Sequence, residues 1–131
     1  RVPLASGLLS GRYTAATTFA ADDHRTYNRH GEAFDRGETF SGVDFATGLE
    51  AVAELTAALP ERVSLPAATL AWIASRTGVT TEIPGARNVR QAESNADAAA
   101  LLDGGLDLDA FDAVIRDVYD RRLKADIHPL W

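Results

Sequence analysis

The chain has 131 residues, within the size range of a single domain with a core of its own, and its 46% hydrophobic and 24% charged residues are ordinary for a globular protein. No apolar run approaches the roughly 20 residues that cross a bilayer, no basic-then-apolar leader opens the chain, and the absence of cysteine excludes disulfides and thiolate metal sites, which together fit a cytoplasmic protein. A net charge of −6 excludes broad attraction to nucleic acid but leaves room for one local basic pocket that takes a small anion.

Val2 to Ala5 is short, apolar and interrupted by Pro3, which predicts the end of a strand. It runs into Ser6-Gly7-Leu8-Leu9-Ser10-Gly11, where two glycines and two serines suit a tight loop lying close to a ligand or to other backbone. Residues 14–44 show no sustained period and predict a long, partly helical excursion of the kind that covers a site. From Phe45 to Leu59 the stripe Phe45, Leu49, Val52, Leu59 predicts a helix that Pro60 ends. Ser64 is a good N-cap for the next helix, with Pro66 in its first turn and Leu70, Trp72 and Ile73 on its apolar face, stopping near Gly78.

Val79-Thr80-Thr81-Glu82-Ile83 is β-branched and predicts a strand broken at Pro84-Gly85. Asn88, followed by Gln91 at capping-box spacing, predicts a helix running to Leu102, closed by Gly104-Gly105. Phe111, Val114, Ile115 and Val118 predict a last helix from about Asp109 to Leu123. Strands alternating with helices predict an α/β fold with parallel strands. Two such strands cannot make a sheet covered on both faces, so the rest of the sheet is expected elsewhere. The sequence contains no methionine and opens Arg1-Val2-Pro3-Leu4, so a piece of a longer protein is the simpler expectation.

Two segments carry the chemistry. In Ile83 to Asn95 an expected strand turns at Pro84-Gly85 into a helix whose first amide N–H groups are unpaired and whose dipole is positive at that end, a ready site for phosphate. Arg87 and Arg90 sit in that turn, and Gln91 and Asn95 share a helix face from which both can read one planar polar group such as adenine. An ordinary capped helix with solvated arginines has the same spacing. In Val2 to Tyr13, Gly7 and Gly11 allow close backbone approach, the serines can donate to phosphate oxygens and Arg12 can neutralise them; a plain surface loop reads the same way. His24, His30 and His128 are too scattered for a metal pattern, and Asp107, Asp109 and Asp112 near a helix start favour its dipole without calling for calcium.

In this order, Pro-Leu-Ala-Ser-Gly-Leu-Leu-Ser-Gly-Arg-Tyr, then Leu70-Ala71-Trp72-Ile73, then Ile-Pro-Gly-Ala-Arg-Asn with Gln91 and Asn95, resemble the C-terminal portion of the aldo-keto reductases, and the ending in Trp131 is similar to that of certain bacterial members. The resemblance implies that the whole chain, residues 1–131, is the C-terminal fragment of one (β/α)8 TIM barrel domain, holding its last two strands and their helices, with the cofactor at the strands' C-terminal ends. By position, Pro3, Leu4, Ala5 and Ser6 resemble the lining of the pyrophosphate and adjoining part of NADP(H), and Arg12 stands where a Lys or Arg is usual. Gly85 and Arg87 resemble the turn that takes the 2′-phosphate, and Gln91 and Asn95 the residues that hold 2′-phosphate and adenine. Ser94 stands where the family commonly has Glu.

The family's catalytic Asp, Tyr, Lys and His lie on earlier strands, and Tyr13, Tyr27 and Tyr119 fall outside the corresponding motif, so no catalytic residue is expected here. The implied function is NADP(H)-dependent reduction of small-molecule aldehydes or ketones, with this chain supplying the cofactor grip. A non-catalytic nicotinamide-binding module, like the related potassium-channel β subunits, is the alternative. If the chain is a complete gene product, it is expected to expose apolar faces and to associate with a partner that covers the open barrel.

Overall fold

A computed structural model describes residues 2–130; Arg1 and Trp131, the latter part of the family resemblance, lie outside the described residues. After a 3-10 turn at Ala5–Ser10 come α1 (His24–Tyr27), short 3-10 turns at Arg36–Glu38 and Phe40–Gly42, then α2 (Phe45–Ala57) and α3 (Leu65–Ala74). They are followed by α4 (Val89–Ala96), α5 (Ala98–Ala100), a wide π-type turn at Leu101–Gly105, α6 (Leu108–Val118), a second such turn at Tyr119–Leu123, and α7 (Lys124–Ile127).

No β-strand is present among the described residues, which overturns the expectation of two barrel strands: the fold is helical. A strand exists only as half of a ladder, and neither candidate segment finds a second half. Residues 2–5 bend instead, with positive φ at Val2 (50°) and Ala5 (47°), and Pro3 has no N–H to give a ladder. Val79 to Ile83 keeps its β-branched composition but runs as irregular backbone, and among the described residues no backbone hydrogen bond involves residues 80–86. Ile83 is 87% exposed there. One carboxylate oxygen of Glu82 is buried without a hydrogen-bond partner among the described residues, and burial pushes that carboxyl group's pKa up.

The helices start where their caps dictate. Asp44 accepts from the Thr47 N–H, Ser64 from Ala67, Asn88 from Gln91 and Asp107 from Ala110, each satisfying an amide that has no partner inside its helix. α4 stops at Ala96, short of Leu102, because the chain passes through α5 into the wide turn, where Gly104 takes φ 97°. α6 stops at Val118, and a second wide turn carries the chain into α7.

α6 packs against α2 and α3, and the core they enclose holds Val52, Leu65, Ala68 and Phe111 together with Leu8 and Phe40 from the preceding loops. Gly48 sits inside α2, where glycine costs a helix about 1 kcal/mol relative to alanine. A Cβ there would stand 2.7 Å from Leu8 Cδ2, so its absence lets Leu8 reach the helix. A smaller cluster of Leu70, Ala71 and Ala98, with Leu4 against it, fastens the N-terminal loop to α3 and α5. On the outer side Asp112 of α6 accepts from Trp72 Nε1 at 2.8 Å and from Arg76 Nη1 at 2.9 Å, stapling α6 to α3.

The excursion over residues 14–44 is held from within. Asn28 is fully buried; its carbonyl oxygen accepts from the Ala33 and Phe34 N–H groups at 2.8 Å each, and its amide donates to Thr39 Oγ1 at 3.3 Å. Phe19, Phe40 and Phe45 stack with centroids 5.1–6.1 Å apart, and the Arg29 guanidinium lies over all three rings. Replacing Asn28 by Ala removes the acceptor of the Ala33 and Phe34 N–H groups and the buried donor to Thr39, three hydrogen bonds in all, and is expected to cost about 2–3 kcal/mol of unfolding free energy. Urea unfolding checks this; a loss below about 0.5 kcal/mol, the size of an ordinary surface change, would show that the excursion does not depend on Asn28.

Candidate functional site

The N-terminal loop is shaped by three successive left-handed residues: Ala5 (φ 47°), Ser6 (56°) and Gly7 (86°). For Ala and Ser this conformation costs about 1–2 kcal/mol each, so something must hold it. Ser6 Oγ donates to the Glu38 carbonyl and accepts from the Phe40 N–H, both at 3.2 Å, joining the loop to the end of the excursion. Gly7 is required twice over, by its φ and because a Cβ would lie 2.5 Å from the Tyr13 hydroxyl.

The second wall is the turn entering α4. Gln91 Oε1 accepts from the Arg87 N–H at 2.7 Å, one residue further back than a capping box reaches, and Asn95 Nδ2 donates to the Gly85 carbonyl at 3.2 Å. These bonds fix both amides. An N–H partner demands the oxygen of Gln91, so Nε2 is left as a donor; a carbonyl partner demands the nitrogen of Asn95, so Oδ1 is left as an acceptor.

The two walls face one cleft of about 1080 Å3. Of the nine residues singled out for cofactor binding, Pro3, Leu4, Ser6, Arg12, Gly85, Arg87, Gln91 and Asn95 all line it. Ala5 does not; it packs against the core around Leu8 and Phe40. Arg90, read from the sequence as the second arginine of the turn, lines it too, and so do residues outside the expected cofactor set: Tyr13, His24 and Arg25 from the excursion side, Ser64 and Pro66 at the start of α3, and Ser94 on α4. Only the excursion's path could have revealed Arg25 and His24, because nothing in their local spacing marks them. Ser64 and Pro66 were legible as a helix start, but not as a second N-terminus opening on the same cleft.

The cleft's electrostatics are one-sided. Arg12, Arg25, Arg87 and Arg90 line it, and no Asp or Glu does, in a chain whose acids outnumber its Lys and Arg by 19 to 13. Among the described residues no carboxylate pairs with Arg12, Arg87 or Arg90. The start of α4 adds amides without helical partners, and the starts of α3 and α4 both bring positive dipole ends. An anion with several phosphate oxygens meets donors on every charged side of this space.

Arg25 is aimed by its neighbours. Asp23 caps α1 by accepting from the Arg25 N–H and receives Nε and Nη2 of the same side chain, while Nη1 donates to the Tyr13 hydroxyl and the Ser6 carbonyl. The guanidinium also lies 4.4 Å from the Phe19 ring centroid. Hydrogen bonding from Arg25 holds the Asp23 carboxyl well below the usual carboxylate range, and Asp23 in turn raises the Arg25 pKa.

Among the described residues no three His, Cys, Asp or Glu side chains are grouped to hold a metal ion, and no helix is long and apolar enough to cross a membrane. Fold and site together define a helical protein with a cleft lined by four arginines and no carboxylate. The sequence model of the aldo/keto reductase family matches residues 1–114, and the chain belongs to this family of oxidoreductases. No curated protein and no solved structure matches it.

Asp23 has a pKa lowered on folding, so its contribution to stability is fully present above the unfolded value, about 4, and is lost as pH falls through the folded one. Asp23→Asn keeps the cap but removes the charge. The variant's unfolding free energy is expected to fall less steeply than the wild type's below about pH 4. Superimposable pH profiles would mean that the Asp23–Arg25 pair contributes nothing to folding.

Proposed function

We propose that the cleft holds NADP(H), and that this chain is the cofactor-gripping part of an NADP(H)-dependent oxidoreductase that reduces aldehydes or ketones. The observation that carries the reading is the one-sided charge of the lining: Arg12, Arg87 and Arg90 without a carboxylate partner among the described residues, Arg25 beside them, the start of α4 and the free Gln91 amide nitrogen, with no Asp or Glu. Arg87 and Arg90, beside the start of α4, would take the 2′-phosphate, with Gln91 Nε2 as a further donor. Asn95 Oδ1 is an acceptor suited to the exocyclic amine of adenine. Arg12 and the loop from Pro3 to Ser6 would lie along the pyrophosphate, and Leu4 supplies apolar contact.

When bound, the nicotinamide supplies the hydride. The residues of this chain bind and orient. Its single lysine, Lys124, is bonded to Asp120 on the surface of the last helical segment, so no lysine is at hand to tune a tyrosine in the cleft. The proton that must reach the carbonyl oxygen therefore has no donor assigned in this chain.

A requirement for a partner is supported by one feature. Residues 80–86 leave their backbone groups without backbone hydrogen bonds among the described residues, beside the exposed Ile83 and Val89. Such a segment invites association. Ile83→Lys is expected to reduce self-association measured by light scattering; unchanged association would remove this segment from the interface.

Arg87→Ala should weaken NADP+ by about 10- to 100-fold and NAD+ by less than about threefold, because the lost charge-assisted bonds go to the group that only NADP+ carries. Isothermal titration with both dinucleotides checks this. An equal loss for both would withdraw the 2′-phosphate assignment.

A further inference from the structure

His24 lines the cleft beside Arg25 and has no part in the cofactor grip described above. Its Nδ1 lies 3.6 Å from Asp23 Oδ1, and its side chain is 37% exposed. Nε2 has no hydrogen-bond partner among the described residues. The imidazole thus has a carboxylate beside Nδ1, beyond hydrogen-bond distance, and its other nitrogen left over at a wall of a cleft lined by no carboxylate.

We propose that His24 is a proton-dependent ligand for the phosphate groups of the bound dinucleotide, so that the cleft's affinity for its anion rises as pH falls through the imidazole's titration. The inference rests on the cofactor reading of the cleft. Neutral His24 offers at most one ring N–H; protonated, it offers two and adds a fifth cation to the lining. The charged groups that face it are Asp23, whose carboxylate is bonded to Arg25, and Arg25, Arg12, Arg87 and Arg90 of the lining. A bound anion offers Nε2 an acceptor and the imidazolium a counter-charge. Ligand binding and proton uptake are then linked, and each must strengthen the other by the same factor.

The source of the anion matters for the test, because a 2′-phosphate monoester loses charge on acidification and opposes the effect, whereas a pyrophosphate diester keeps its charge. The probe is therefore NAD+, with NADP+ as the second arm, titrated calorimetrically into the full chain at about pH 8 and about pH 6. Wild type is expected to bind NAD+ about fivefold more tightly at the lower pH, with net proton uptake seen by changing the buffer's ionisation enthalpy. His24→Gln should abolish the difference and settle at the weaker, high-pH affinity; His24→Arg should bind at the tighter level at both pH values. In NMR, the His24 ring should titrate at higher pH once NAD+ is added. Binding with no difference in slope between wild type and His24→Gln overturns the proposal and leaves the cofactor reading standing. Absence of binding by either dinucleotide at either pH overturns both.

Discussion

One hydroxyl group ties the N-terminal wall of the cleft to the end of the excursion. Ser6 Oγ bridges the Glu38 carbonyl and the Phe40 N–H, linking positions more than thirty residues apart. Both ends of that bridge lie in strained backbone: Ala5, Ser6 and Gly7 on one side, Phe40, Ser41 and Gly42 on the other, all with positive φ. Neither stretch is stable locally, and each is the constraint that keeps the other bent. With the bridge in place Phe40 is driven to complete burial and stacks on Phe45 at the start of α2, while the excursion is closed into a loop that brings Arg25 and His24 to the cleft. The Asp23–Arg25–Tyr13 contacts complete this closure from the cleft side. Gly7 must lack a side chain so that the tyrosine can reach that position.

Most helices were legible because their signals are local. Ser64 and Asn88, expected as caps, each accept one first-turn N–H, as Asp44 and Asp107 also do, and that event needs no knowledge of the rest of the chain. The stripe of Phe45, Leu49 and Val52 likewise faces Leu8 and Phe111 as its period required. The strands failed for the opposite reason. Val79 to Ile83 has the composition of a strand, but a ladder needs a partner that no property of those five residues supplies, and Val2 to Ala5 turns under the pull of the Ser6 bridge and the packing of Leu4 on Leu70. The early ends of α4 and α6 were missed because wide turns depend on packing against α3 and α2, not on a stop residue.

The candidate site was legible to the extent that it is built from backbone turns. Pro3 to Arg12 and Gly85 to Asn95 do face one space, since a glycine-rich turn and a helix start each expose amides wherever they occur. Ala5, with its left-handed φ, packs against the core and is not among the cleft's lining residues, which a residue-by-residue reading of the loop cannot see. Gln91 and Asn95 share a face as their spacing required, yet each spends one polar atom on the turn itself. That internal use is what gives them direction: with one atom committed, Gln91 presents a donor and Asn95 an acceptor, whereas unbonded amides would flip freely.

The overall acidity of the chain and the basicity of its cleft are two sides of one arrangement. On the far helices the arginines are consumed by acids: Arg116 by Asp112, Arg121 by Asp117 and Glu54, Arg122 by Glu50 and Glu54, with Lys124 on Asp120. Exposed pairs of this kind add little stability, so their physical consequence is chiefly one of placement. They gather carboxylates on α2, α6 and the turn that follows, away from the cleft lining, and neutralise the arginines beside them. Asp23 is the acid nearest the cleft, and its charge is answered at once by Arg25. What remains is a surface that repels free anions in general and one cleft in which unpaired guanidinium groups and two helix starts point the same sign of charge at the same space. A small, multiply charged ligand that can satisfy several of these donors together gains where a single phosphate cannot, because each added contact is made without a second loss of translational freedom. The one-sided charge of this cleft therefore follows from where the carboxylates are absent, as much as from where the arginines stand.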